Sequence, residues 1–253
     1  RRQERTDNIF LKVDKLQNAN KVKEATFELN KGEILGIWGL LGSGRTELVR
    51  SIIGLDGQPK GTIRINRHGK LTPISAEYLS QITAYVSEDR RGEGVLLPMS
   101  VLKNTALPNL KKVSGNFGII MLNNARNLAN RVIERLSIKV SSFDQTVGTL
   151  SGGNQQKIVF GKWLETEPDL LILDEPTRGL DISAKGEILK LATNLANTGV
   201  SILFISSELE ELMKISDRYL ILSERYVVAE LPGDSTQDNL IAALSKIGQG
   251  SAA

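Results

Sequence analysis

Residues 150–181 read LSGGNQQKIVFGKWLETEPDLLILDEPTRGLD, and two unusual patterns lie close together in them. The first, LSGGNQQK at 150–157, is a glycine turn followed by a run that predicts a helix. A helix N-terminus presents unpaired backbone N–H groups and the positive end of the helix dipole, so this segment favours contact with an anion. The second pattern, LLILDE at 170–175, begins with an apolar run typical of a buried strand.

Asp174 and Glu175 stand at the carboxyl end of that predicted strand. In a doubly wound α/β sheet, ligand-handling residues lie at this edge. One carboxylate there can hold Mg²⁺, and its neighbour can orient a water molecule. The stretch therefore predicts an α/β fold with an anion site and a metal-binding edge.

A glycine-rich segment upstream matches this prediction. An apolar run at 34–38 predicts a buried strand, GLLGSGRT follows at 39–46, and a helix is predicted at about 46–53. Strand, glycine loop and helix are the context of a phosphate-binding P-loop, whose backbone N–H groups wrap phosphate oxygens. The predicted loop consists of Gly39, Leu40, Leu41, Gly42, Ser43, Gly44, Arg45 and Thr46.

The loop matches the spacing GxxxxGK[ST] with one departure, because Arg45 takes the lysine position. Thr46 would supply the hydroxyl ligand to Mg²⁺. Taken alone, the segment also fits a strand-to-helix turn that binds nothing. Asp174 and Glu175 downstream favour the phosphate site.

The composition is that of an ordinary globular protein: 253 residues, 40% hydrophobic and 24% charged. This length suits one large domain or a core with an inserted subdomain. The absence of cysteine excludes disulfides and thiolate metal sites. The net charge of +3 comes from basic residues interleaved with acids, so we predict no nucleic-acid stripe. The chain begins with Arg1 rather than Met, so we expect it to be a piece of a longer polypeptide.

Shorter patterns predict the remaining elements. Alternating or apolar runs predict strands at 10–13, 26–29, 61–65 (an edge strand), 82–86, 201–205, 219–222 and 227–231. Apolar residues at helical spacing predict helices at 101–107, 123–136 and 183–197, and a short helix after Glu208. A final helix to Leu244 would be capped by Asp234 or Ser235. We interpret His68 as solvated surface, residues 1–8 as a linker and 248–253 as a flexible tail.

The combination of GLLGSGRTEL, YVSEDRR, LSGGNQQK, LDEPTRGLD and ISSELEEL resembles the ATP-binding cassette (ABC) ATPases over essentially the whole chain. LSGGN corresponds to their signature motif, LLILDE to the Walker B strand and residues 179–181 to the D-loop. The match is most similar to the second nucleotide-binding domain of bacterial monosaccharide importers of the ribose, galactose, xylose and arabinose type. In those proteins two such domains are fused in tandem.

The resemblance implies an α/β fold. Its parts are a P-loop NTPase (RecA-like) core with a mostly parallel sheet, an N-terminal antiparallel β subdomain and an inserted α-helical subdomain that carries the signature motif. We expect a single nucleotide-binding domain with its core at about 9–96 and 158–231. The helical subdomain would occupy about 97–157, and a C-terminal helix and tail 232–253.

The resemblance also implies ATP and Mg²⁺ as cofactors. Glu175 would orient the attacking water, while Thr46, Asp174 and Glu88 would contact the metal. Glu88 occupies the position of the family's glutamine loop, which contacts Mg²⁺ and the membrane partner. Ser207 occupies the position of a histidine at the start of the helix after the fifth core strand. Taken alone, SEDRR at 87–91 also fits a charged surface loop. Residues expected to contact nucleotide across a dimer interface are Ser151, Gly152, Gly153 and Asp181.

The implied partners are the first nucleotide-binding domain of the same chain, or a second copy, and membrane permease subunits. A periplasmic or extracellular sugar-binding protein would act indirectly, and no nucleic acid is expected. The implied location is the cytoplasmic face of the bacterial membrane, as a peripheral protein. Which sugar is carried cannot be inferred from these residues, because the ATPase does not touch it.

Three departures from the family pattern lie on the P-loop side of the domain. Arg45 keeps the lysine's charge but is longer and forked. Ser207 replaces a cationic contact, and losing one transition-state contact costs on the order of 10²–10³ in rate. Residues 16–24 lack the aromatic on which adenine stacks in the family, a contact worth roughly 1 to 3 kcal/mol.

These departures predict two unequal sites. The intact signature motif would complete a working site whose P-loop belongs to the partner domain, and the Arg45 P-loop would line a weaker one. A regulatory domain that binds nucleotide without hydrolysing it remains the alternative. A soluble ABC ATPase of translation or DNA repair would be expected to carry long insertions or basic extensions, which this chain lacks.

Overall fold

The computed structural model describes residues 8–245 and divides the chain into two compact units. The first comprises residues 8–83, 169–175 and 189–245, and the second 84–168 and 176–188. The predicted helical subdomain at 97–157 falls inside the second unit. The linker residues 1–7 and the tail at 248–253 lie outside the described residues.

The first unit is built on a sheet with strand order β5-β4-β1-β2-β10-β9-β3-β8-β7. The strands β9, β3, β8 and β7 are parallel, and β5, β4, β1 and β2 form an antiparallel group. The predicted parallel core with an N-terminal antiparallel part is thereby confirmed. The strands are β1 Ile9–Asn18, β2 Val22–Asn30, β3 Ile34–Gly39, β4 Lys60–Arg67, β5 Lys70–Ile74, β7 Leu170–Asp174, β8 Ser201–Ile205, β9 Arg218–Ser223 and β10 Tyr226–Pro232.

Continuous apolar runs form the centre of this sheet. Every residue of β3, β7 and β8 is buried, as expected for parallel strands covered on both faces. The helices of the first unit are α1 Arg45–Ile52, α2 Ala76–Gln81, α8 Leu209–Ile215 and α9 Gln237–Ser245. The chain passes between the units within β6 (Thr83–Val86), on either side of β7, and within α7 (Ile182–Asn197).

The second unit is mainly helical. Its helices are a π-helical turn at Arg90–Gly94, α3 Val101–Ala106, α4 Leu110–Val113, α5 Leu122–Arg135 and α6 Gly152–Leu164. The predicted apolar stripe of α5 is buried at Ala125, Leu128, Ala129 and Val132. A Cβ at Gly161 of α6 would lie 2.2 Å from a methyl carbon of Val132, so this glycine lets α5 and α6 approach closely.

Two predictions about the first unit are wrong. Residues 61–65 belong to β4, which is not an edge strand because β5 pairs with it on the outer side. β5 contains Pro73, which an edge strand tolerates because one of its sides makes no ladder hydrogen bonds. The cap of α9 is Thr236, which exchanges hydrogen bonds with Asn239, and not Asp234 or Ser235.

Candidate functional site

The carboxyl ends of three parallel strands bring the predicted site residues of the first unit to one edge. β3 ends at Gly39 and β7 at Asp174, and both pair with β8 near Ile205. The residues that follow these ends are the P-loop, Glu175 and Ser206-Ser207. This edge is where open α/β sheets bind their ligands.

The P-loop forms a cradle that fits a phosphate chain. Gly42 and Gly44 have φ angles of 78° and 96°, which favour glycine, and a Cβ at Gly42 would meet no atom within 4 Å. Ser43 is only 5% exposed, yet its hydroxyl has no hydrogen-bond partner among the residues described. No side chain caps α1, so the N–H groups of its first turn stay available for an anion.

Arg45 reaches across the base of this loop. One terminal nitrogen, Nη1, donates to the carbonyl oxygen of Gly39 at 2.5 Å. The other, Nη2, donates to Oε1 of Glu175 at 3.4 Å. The side chains of Arg45 and Glu175 are 12% and 9% exposed, so water screens this pair only weakly.

Glu175 is held from a second side. Ser207 Oγ donates to Glu175 Oε2 at 3.2 Å, so both carboxylate oxygens accept a hydrogen bond. Glu175 has a φ of 47°, and its N–H donates to the carbonyl of Ile205 at 3.0 Å. A left-handed backbone costs a non-glycine residue about 1–2 kcal/mol, so the surrounding strands fix the orientation of this carboxylate.

The residues that would hold Mg²⁺ are Asp174, which is fully buried, and Thr46, which is half-buried in the first turn of α1. Within residues 8–245, no group of three or more His, Cys, Asp or Glu side chains is arranged to hold a metal. Mg²⁺ in nucleotide enzymes is usually bound by one or two protein oxygens together with phosphates and water. Thr46 and Asp174 therefore fit an ion that arrives with a nucleotide.

In the second unit, the signature motif occupies the N-terminus of α6, as its glycine turn predicts. Ser151 is the N-cap, and its hydroxyl accepts a hydrogen bond from the N–H of Asn154 at 3.4 Å. Arg90 donates to the carbonyl of Gly152 at 3.3 Å. Asp181 caps α7 in the same way, since its Oδ1 accepts from the N–H of Ala184 at 2.9 Å.

Glu88 forms an ion pair with Arg178, three residues beyond Glu175. The two side chains are 38% and 68% exposed, and both residues belong to the second unit. The sequence reasoning did not identify Arg178, although it stands inside the quoted LDEPTRGLD motif. The roles expected of Glu88 toward a metal and a membrane partner stay predictions.

The sequence pattern also does not identify a buried lysine. Lys162 on α6 is 8% exposed, and its ammonium donates to the carbonyl oxygen of Gly94 at the end of the π-helical turn. Burial lowers the pKa of Lys162 to about 8. Its place among apolar α6 residues was the only available signal.

Comparison with known proteins identifies the family. Residues 22–178 match the family model described as ABC transporter. The chain belongs to the ABC transporter family. The solved structure of an ATP-binding cassette of an ABC transporter in its ADP conformation matches this chain with a TM-score of 0.75 and 20% identity. The match covers 96% of this chain and 99% of that one. This likeness confirms the predicted P-loop NTPase fold.

Two curated proteins are similar to this chain over most of its length. The ribose import ATP-binding protein RbsA 2 of Rhizobium etli is 40% identical over 98% of this chain and 49% of its own length. The xylose import ATP-binding protein XylG of Geobacillus kaustophilus is 43% identical over 90% and 46%. The chain thus spans about half the length of these relatives.

Among the described residues, no helix is both long and apolar enough to cross a membrane.

Proposed function

We propose that this chain is an ATP-binding and ATP-hydrolysing cassette of a monosaccharide importer, and that it energises transport through a separate membrane permease. The names of the relatives RbsA 2 and XylG support ribose- or xylose-type cargo. The chain would act at the cytoplasmic face of the membrane, beside a second cassette. The sugar-binding protein would act only through the permease.

The P-loop N–H groups and Arg45 would bind the phosphates, while Thr46 and Asp174 would hold Mg²⁺. The ion, when bound, neutralises charge on the transferred phosphoryl group. Glu175 would orient the attacking water and accept its proton. Ser151, Gly152 and Gly153 would present the N-terminus of α6 to the nucleotide on the facing cassette.

One observation supports slow hydrolysis at the chain's own site. Arg45 and Ser207, two of the three departures from the family pattern, both donate to Glu175, one to each oxygen. Each donor uses one of the roughly four acceptor sites of the carboxylate, so fewer sites are left for a water molecule. If the guanidinium moves from Glu175 to phosphate, a largely buried charge pair is broken.

The same observation favours a second candidate, a regulatory cassette that binds ATP and dimerises without hydrolysing it. In that case Glu175 would stay bound to Arg45 whenever nucleotide is present. The two candidates differ in whether freeing Glu175 restores turnover. Glu175 itself supports the hydrolytic function, because a regulatory site does not need a carboxylate at this position.

The test is phosphate release from Mg·ATP by the chain with Arg45→Lys, Ser207→His and both changes, at several protein concentrations. We expect the double variant to hydrolyse ATP at least about tenfold faster than the wild type, since one restored transition-state contact is worth on the order of 10²–10³. Arg50→Lys, on the same helix α1 and paired with Asp56, is the matched control and should change nothing. The gain should vanish with Glu175→Gln. A double variant that binds ATP and stays silent would favour the regulatory function.

A further inference from the structure

The turn between β9 and β10 contacts the P-loop from the side where residues 16–24 lack an aromatic. The N–H of Arg225 donates to the carbonyl oxygen of Ser43 at 2.9 Å. A Cβ at Gly44 would lie 3.1 Å from Cγ and 3.2 Å from Cα of Arg225. The side chain of Arg225 therefore leaves the turn directly against the last glycine of the loop.

The same turn contacts the start of β2. The N–H of Lys23 donates to the carbonyl of Arg225 at 3.0 Å, and Tyr226 is in register with Glu24. The ammonium of Lys23 lies 4.9 Å from the centroid of the Tyr226 ring. The side chain of Arg225 thus lies against the P-loop, and the next residue, Tyr226, places its ring against Lys23 of β2.

The turn holds these groups in a costly backbone conformation. Glu224 and Arg225 have φ angles of 48° and 70°, whereas a two-residue hairpin of this kind favours Asn-Gly or Gly-Gly. Each left-handed non-glycine residue costs about 1–2 kcal/mol. Strained positions of this kind concentrate at ligand sites, so the arginine is a candidate for a binding role.

We propose that Arg225 and Tyr226 form the wall on which the base of the bound nucleotide stacks, in place of the aromatic missing from residues 16–24. This inference rests on the proposed nucleotide site at the P-loop. Guanidinium planes and aromatic rings both stack on bases. Arg225 is exposed, and Tyr226 is 43% exposed, so both present surface to a ligand.

The test compares ATP with tripolyphosphate, which has the phosphates of ATP but no base. Calorimetric binding to the 253-residue chain with Mg²⁺ is measured for the wild type, Arg225→Gly and Tyr226→Leu. Glycine suits the φ of position 225, so Arg225→Gly removes the side chain without adding strain. We expect ATP affinity to fall about 5- to 100-fold in either variant, with tripolyphosphate affinity unchanged within about twofold.

Arg225→Lys keeps the positive charge but lacks the planar guanidinium, so its ATP affinity should fall as far as that of Arg225→Gly. A second arginine–tyrosine pair in the first unit, Arg67 stacked 4.5 Å from the Tyr78 ring centroid, is the matched control. Arg67→Ala and Tyr78→Leu should leave the affinities for both ligands unchanged.

Two results would overturn the inference while leaving the proposed function intact. ATP affinity could be the same in all variants, or both ligands could weaken together, which would make Arg225 a phosphate contact. A wild-type chain that binds neither ligand would instead overturn the proposed function, and the inference with it.

Discussion

At the residue scale, the P-loop arginine changes the geometry of the site as well as its charge. A lysine ammonium is a point donor, whereas the fork of Arg45 contacts Gly39 and Glu175 at once. The departure from the family pattern is visible in the sequence. Its consequence is not, because it depends on a rotamer of Arg45 and on the left-handed backbone of Glu175.

A residue-scale prediction concerns Glu88 and Arg178. The resemblance implies that Glu88 contacts Mg²⁺, and Arg178 competes for the same carboxylate. An exposed ion pair is worth about 0–1 kcal/mol, so Arg178→Gln should lower the Mg²⁺ concentration for half-maximal phosphate release by up to about fivefold. Arg126→Gln, at an exposed arginine of α5, is the control. If Arg178→Gln has the same effect in a Glu88→Gln background, the competition is not through Glu88.

At the element scale, the buried strands and long helices are the parts that the sequence predicts well. The runs of β3, β7 and β8 are apolar because both faces are covered, and the stripe of α5 is periodic because one face is. The short helix α2 and the strand β5 were not predicted, because they are brief and partly exposed. The β9–β10 turn carries no turn signal, since neither glutamate nor arginine favours a positive φ.

Lys162 gives α6 a testable pH dependence. The pKa of Lys162 is about 8 in the folded chain, against 10.5 for an ordinary lysine such as that of the unfolded chain. Between these pH values the unfolded chain therefore binds a proton that the native chain does not. The free energy of unfolding should therefore rise with pH across this window, by up to about 3 kcal/mol, and be insensitive to Lys162 below it.

The measurement is urea denaturation of the wild type and Lys162→Met at pH 7.5, 9 and 10. The variant removes the titrating group, so the difference between the two proteins isolates its contribution. An equal rise in both proteins would assign the pH dependence to other groups. The expected result would show that α6 contacts the π-helical turn through a lysine whose charged form is disfavoured by burial.

At the scale of the whole molecule, the P-loop residues depart from the family pattern, whereas the signature residues keep it. The P-loop half has Arg45 and Ser207 bound to Glu175, whereas the signature half has Ser151 and Asp181 as ordinary helix caps. The N-terminus of α6 carries the positive end of a helix dipole and begins with Gly152 and Gly153, so we propose that the signature motif completes an ATP site on another cassette. We therefore expect this chain to contribute more to its partner's ATP site than to its own.

Phosphate release from Mg·ATP tests the proposed asymmetry most directly, measured for this chain alone over a concentration series and then with the proposed partner cassette added. We predict that the chain alone is nearly inert and that turnover appears with the partner. Ser151→Arg should abolish that turnover, while Asn127→Arg, an exposed position on α5, should not. Robust turnover by the chain alone, rising faster than linearly with its concentration, would show that Arg45 and Ser207 support catalysis in a homodimer and would contradict the account.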